Sequence, residues 1–167
     1  MSKATLKKEL KNMSREQMEQ IILDAYDARK ETKEYFDFFL NPDVDKLFEK
    51  FKLKCSKEMN KQKWGMCKAR TSVLKKAVKD FLGLQPGTEA DINMFFLMLS
   101  MLGVTERYTN FAQPLVNYCG FVMKQLLDYA ESHQIVSDVM PRVEALLRND
   151  VYTVYFRRLL REAIDER

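Results

Sequence analysis

Apolar residues recur at intervals of three and four along almost the whole chain, with little to interrupt them. Met18, Ile21, Ile22, Ala25 and Tyr26 follow the i, i+3, i+4, i+7, i+8 order that places side chains on one face of an α-helix. Val44, Leu47, Phe48, Phe51, Cys55 and Met59 form a second such face, and Val73, Leu74, Ala77, Val78 and Phe81 a third. Five glycines and four prolines in 167 residues are too few for a turn-dense all-β fold, a collagen-like repeat or a loose linker. With 46% hydrophobic and 31% charged residues, the chain can bury a core and stay soluble. The expected class is all-α: a single-domain irregular helical bundle or short α-α superhelix of seven to eight helices over residues 1–167. No repeat of fixed period occurs, which favours the irregular bundle over a regular solenoid.

The breaks between helices follow from capping and turn chemistry. A short helix is expected over residues 5–11. Ser14 caps a long one, with Gln17 at the capping-box position, and the pattern reaches Leu40 before stopping at Asn41 and Pro42. Pro42 is tolerated in the first turn of the next helix, which ends near Asn60. Residues 61–65 read as a loop and 66–82 as a helix stopped by Gly83. Pro86, Gly87 and Thr88 form the clearest loop, with Thr88 capping a helix over 89–102 that Gly103 ends. That helix is apolar nearly all round, which places it at the centre of the core. Pro114 opens a helix to His133, Ser137 caps one through Arg148, and Asp150 starts the last. Residues 151–156, VYTVYF, have strand-like composition, but no second strand candidate exists to pair with them, so they are taken as helical.

Three cysteines at spacings of 12 and 52 form no CxxC pair and no Cys/His ligand set. Neither a disulfide scaffold nor a zinc module is indicated. The lysine-rich start lacks the apolar stretch of a signal peptide. The most apolar run, residues 94–104, is about half of the roughly 20 residues a membrane span needs. These features predict a cytoplasmic protein without membrane insertion.

Charge is polarised along the chain. The net of +4 conceals a basic segment, residues 46–79, with twelve Lys/Arg and two acids, against a net of −6 elsewhere. At about 100° per residue, Lys46, Lys50, Lys54, Lys57 and Lys61 fall within an arc of roughly 80°. Lys68, Lys75, Lys76 and Lys79 fall within about 100° on the following helix. Like charges at i, i+4 cost roughly 0.2–0.5 kcal/mol per pair, so such a stripe favours an anion or an acidic surface against it. A phosphate-backbone platform with Lys63, Trp64 and Arg70 in the intervening loop is one reading. A solvated face neutralised by a neighbouring helix is the other, with Asp24, Asp27, Glu31 and Glu34 as the candidate counter-stripe. By helical count Arg70 points toward the side of Val73, Ala77 and Phe81, where it needs a carboxylate such as Asp37.

Several chemistries lack their residues. His133 is the only histidine, so no Ser-His-Asp or Cys-His arrangement can be built without it, and no nucleophile motif lies nearby. The Glu-x-x-His signature of di-iron bundles fails because residue 130 is alanine. Asp24, Asp27 and Glu31 line up in principle as metal ligands, but a charged helix exterior is by far the commoner explanation for such a pattern. No GxGxxG and no GxxxxGK[ST] occurs. Neither a metal nor a cofactor is called for. The aromatic cluster Tyr35, Phe36, Phe38 and Phe39 covers more than one helix face and reads mostly as core.

Three strings carry a family resemblance: SKATLKKELKNMSREQMEQIILDAY, KEYFDFFLNPDVDKL and KARTSVLKKAV. Over roughly its first 85 residues the sequence resembles an uncharacterised family of small all-helical bacterial proteins, a domain of unknown function. The resemblance implies an all-helical cytoplasmic protein and no particular reaction. A lysine-arginine segment ahead of a helix is a recurring element of that pattern, here Lys61, Lys63, Lys68 and Arg70. Trp64, Gly65, Met66 and Cys67 depart from it.

The expected function is a non-enzymatic binding module for an unknown protein partner. Its contact surface is expected at Lys50, Lys54, Lys57, Lys61, Lys63, Trp64, Lys68 and Arg70. The alternative is sequence-nonspecific binding of nucleic acid by the same arc. A weaker alternative is a small-ligand or enzyme cleft between the aromatic cluster and Arg70.

Overall fold

The structure, a computed structural model, describes residues 2–166. Nine helices and one two-stranded sheet are present among them. The chain divides into two compact units, Met1–Asp43 and Val44–Arg167.

The first unit holds α1 (Lys3–Leu10), α2 (Arg15–Ala28) and α3 (Lys30–Leu40). Ser14 and Gln17 close the capping box that opens α2. The single helix expected over 14–40 is broken at Arg29, whose backbone is extended at φ −135° and ψ 120°. The cause is visible in the sequence around it. Residues 27–34 carry no large apolar side chain, so an unbroken helix would hold two apolar stretches apart, each without a partner. Folding at Arg29 packs α3 back on α2. Tyr26 meets Phe36 at 6.5 Å between ring centroids and donates a hydrogen bond to Asp37 Oδ1 at 3.0 Å. None of the three helices contains a buried residue.

The second unit begins with α4 (Val44–Met59), two residues after Pro42, so the proline precedes the helix instead of lying in its first turn. A hairpin follows, β1 (Gln62–Lys63) with β2 (Met66–Cys67), then α5 (Thr71–Gly83). Residues 66–70 were expected to be helical; the hairpin and the extended backbone of Arg70 take them instead. Next come α6 (Thr88–Tyr108), α7 (Gln113–Ser132), α8 (Val136–Arg148) and α9 (Val154–Asp165). The helix α6 is central: Met94, Met98, Leu99 and Leu102 are fully enclosed, and α4, α5 and α7 pack against it. On its other side α7 carries α8 and α9.

Three expected caps are filled differently. Thr88 is the first residue of α6 and Gly87, at φ 114°, precedes it without a side-chain cap. Ser137 lies inside α8, whose N-cap is Ile135. The last helix starts at Val154 rather than at Asp150, capped by Thr153, whose hydroxyl accepts from the Phe156 amide at 3.0 Å. Residues 151–153 of the strand-like stretch are therefore not helical.

Gly103 does not end α6. A Cβ there would lie 2.5 Å from Tyr152 Cδ1 and 2.7 Å from Phe156 Cε1. The glycine is needed where the aromatic face leading into α9 presses on α6, and the helix continues through it for five more residues.

Candidate binding surface

The hairpin between α4 and α5 is set by its two central residues. Gln62 pairs with Cys67 and Lys63 with Met66, leaving Trp64 and Gly65 as a two-residue loop. Their φ angles are 56° and 72°. Positive φ at both positions is what a type I′ turn demands, and Asn-Gly or Asp-Gly is the usual occupant. Gly65 adopts it freely. Trp64 does not, because its Cβ crowds the carbonyl, at a cost of roughly 1–2 kcal/mol. The ring gains nothing locally in return, for the residue is 89% exposed.

A rigid base supports this strained tip. Lys68 N donates to Lys61 O at 2.7 Å. The Cys67 thiol is buried and donates to Met59 O at 3.4 Å. Beyond the end of α6, Asn110 joins the hairpin's edge: its amide donates to Gly65 O at 2.9 Å, and its carbonyl accepts from Cys67 N at 3.0 Å. This clip joins the segment just after α6 to the hairpin; Tyr108, the last residue of α6, lies two positions before Asn110 and is 75% exposed.

Under the hairpin lies Glu58, buried although charged. Its Oε1 accepts from the Arg70 amide and from Arg70 Nε, both at 3.0 Å, and its Oε2 accepts from Arg70 Nη2 at 3.4 Å. Lys61 Nζ pairs with Oε2 as well. The side-chain bonds from Arg70 hold the Glu58 carboxyl down at about 2 against burial, which would raise it, and Lys61 adds to the effect. Arg70 therefore does not face the core, and the carboxylate it pairs with is Glu58. It sits outside the helical phase of α5, its side chain is 66% exposed, and the buried member of the pair is the acid. Of the five guanidinium N–H donors, Nε–H and one Nη2–H are engaged by Glu58.

The expected contact residues separate into two groups. Lys50 and Lys54 lie on α4, with their ammonium groups over the Phe51 ring at 5.9 and 5.4 Å. Lys54 also pairs with Asp80 at 3.4 Å, and Lys76 of α5 meets the same carboxylate at 3.5 Å. One lysine from each of the two helices thus meets the same acid. Lys61, Lys63, Trp64, Lys68 and Arg70 belong to the hairpin and its flanks, and Lys57 lies on the last turns of α4. Lys57, Lys63 and Lys68 are exposed and have no ion pair among the described residues. Lys68 precedes α5, so it is not part of that helix's stripe.

Sequence reasoning missed Tyr108 and Asn110. They lie more than 40 residues beyond the hairpin, and no spacing rule connects them to it; only the tertiary backbone pairing does.

Elsewhere in this unit an open cleft of about 810 Å³ is lined mainly by Val44, Phe48, Pro86, Phe96 and Leu97. Arg142 spans one side of the helix beside it, bonding Glu89 Oε1 at 3.3 Å and Asn93 Oδ1 at 2.6 Å, with its guanidinium 4.3 Å from the Phe96 ring centre. His133 stacks on Tyr129, which donates to Asp91 Oδ2 at 2.7 Å. Among the described residues, no group of three or more His, Cys, Asp and Glu side chains is placed to hold a metal ion, and no helix is long and apolar enough to cross a membrane.

Fold and surface together define an all-helical protein with a basic, tryptophan-tipped hairpin. The chain belongs to the family of unknown function DUF6155, whose model matches residues 1–166. The resemblance carried by the first 85 residues thus extends over both units. No curated protein and no solved structure matches the chain.

Proposed function

We propose that the protein is a non-enzymatic binding module that holds an acidic partner on the surface formed by the end of α4, the hairpin and Arg70. The observation that carries this reading is the placement of Lys57, Lys61, Lys63, Lys68 and Arg70 around a tryptophan that is 89% exposed on a strained turn. Packing does not call for that ring, and the like charges near it repel. An anionic partner reverses the sign of the charge term and gives the ring a contact. A cytoplasmic setting suits the three cysteines, all buried as free thiols.

Retention on heparin tests the reading, because binding through several cations weakens steeply with salt. The K57Q/K63Q/K68Q variant is expected to elute at clearly lower salt than wild type. R148Q/R158Q/R161Q, which removes equal charge from α8 and α9, is expected to elute close to wild type. Equal shifts for the two variants would show that net charge alone sets retention, and the surface would lose its assignment.

A further inference from the structure

We propose that the partner is a single-stranded nucleic acid whose bases stack on Trp64 and Tyr108 while its phosphates meet Lys57, Lys63, Lys68 and Arg70. This rests on the binding surface assigned above and names its ligand.

The two rings decide the class. Trp64 and Tyr108 are 89% and 75% exposed, and the backbone bonds of Asn110 to Gly65 and Cys67 join the segment just after Tyr108 to the hairpin that carries Trp64. An aromatic anchor for a protein partner works best at the centre of a patch that excludes water around it. Here the residues flanking Trp64 at the tip, Lys63 and Gly65, are exposed and offer no apolar rim, and Met66, which closes the turn, is half-buried. Exposed rings interleaved with cations are instead the arrangement on which unpaired bases stack, since every base offers a π-face. A duplex offers phosphates but keeps its base faces covered, leaving both rings without a contact.

The cations complete the argument. Among the described residues, Lys57, Lys63 and Lys68 are exposed and form no ion pair that a phosphate would have to displace. Arg70 is anchored by Glu58 through Nε and Nη2, which orients the guanidinium without enclosing it. Lysine ammonium groups are point charges on flexible stems and carry no base-edge code. Binding is therefore expected to tolerate sequence, with sugar identity a secondary matter.

The test uses the full chain and the emission of Trp64, the only tryptophan. Fifteen-nucleotide oligo-dT and oligo-U, a duplex of the same length, and polyglutamate are titrated in turn. Single strands are expected to quench the emission and to bind at least about tenfold more tightly than the duplex. In anisotropy with labelled oligo-dT, W64A is expected to weaken binding about tenfold, from the usual worth of one stacked base, and Y108A several-fold. K57Q/K63Q/K68Q is expected to flatten the logarithmic salt dependence by about 2, the share of three phosphate contacts on a single strand. Unchanged helix ellipticity in W64A keeps the result a statement about binding. The proposal is overturned if W64A binds as wild type, if the duplex binds as tightly as the single strands, or if only polyglutamate quenches. Retention on heparin that depends on these lysines, with no oligonucleotide bound, would leave the general reading standing and remove this one. Loss of both would remove both.

Discussion

Glu58 and Arg70 are twelve positions apart, and Arg70 reaches the Glu58 carboxylate from both its backbone and its side chain. That contact ties the end of α4 to the start of α5 and closes the base of the hairpin between them. The acid is buried and the arginine is not, so the acid depends on the pairing far more than the arginine does.

Replacing Glu58 with glutamine removes the charge and leaves one carbonyl to accept. Breaking a fully buried ion pair costs about 3–5 kcal/mol because the surviving charge is stranded. Here Arg70 and Lys61 remain in reach of water, with side chains 66% and 47% exposed. The expected loss is therefore smaller, about 1–3 kcal/mol, read as a lower urea midpoint by far-ultraviolet circular dichroism.

Acidification tests the same contact. Glu58 titrates at about 2 in the fold, against an ordinary value of 4.5. The unfolded chain takes up the proton first, so the stabilisation is complete above 4.5 and is lost as the pH falls toward about 2. The difference in urea midpoint between wild type and E58Q should be constant near neutrality and close across that acidic range. A difference that stayed constant down to the lower limit would refute the assignment.

Trp64→Asn should raise stability while lowering affinity. Asparagine tolerates left-handed backbone and completes the Asn-Gly pair that the turn prefers, so about 1 kcal/mol of strain is relieved. A higher melting temperature by helix ellipticity, together with weaker retention on heparin or oligonucleotide, is the expected pair of results. An unchanged or lower melting temperature would mean that the turn stores no strain.

Gly103→Ala separates local propensity from packing. Alanine in a helix interior is favoured by about 1 kcal/mol, yet its Cβ would sit 2.5 Å from the Tyr152 ring and 2.7 Å from that of Phe156. Phe156 is fully enclosed and Tyr152 nearly so, which leaves neither ring room to withdraw. Overpacking costs of about 1–3 kcal/mol should prevail, giving a net fall in the urea midpoint.

Gly103 also marks where local reading of the sequence fails. A glycine after an apolar run is a reasonable helix stop, but this one answers to Tyr152 and Phe156, about fifty residues later. Arg70 fails for a related reason: its helical phase was projected backward from Val73, whereas the helix begins at Thr71. By contrast Ser14 with Gln17, and the limits of α7 to within one residue of Pro114 and His133, are legible, because capping and proline effects act within one turn. The break at Arg29 lay between these cases. No proline or glycine marks it, and only the polar stretch between the two apolar stretches hints at a fold-back. In the candidate surface, Lys57, Lys61, Lys63, Trp64 and Lys68 could be grouped from their nearness in sequence. Asn110 could not, since its place at the hairpin's edge is fixed by tertiary backbone hydrogen bonds.

The position of Trp64 has an optical consequence. The folded chain already surrounds the indole with water, and unfolding would exchange that water for more of the same. The buried aromatic groups that sense the core are phenylalanines such as Phe81, Phe95 and Phe156 and tyrosines such as Tyr118. Tryptophan emission should thus stay nearly flat through a melt that tyrosine absorbance and helix ellipticity both record. A change of its colour or intensity in native buffer signals something touching the hairpin, not loosening of the core.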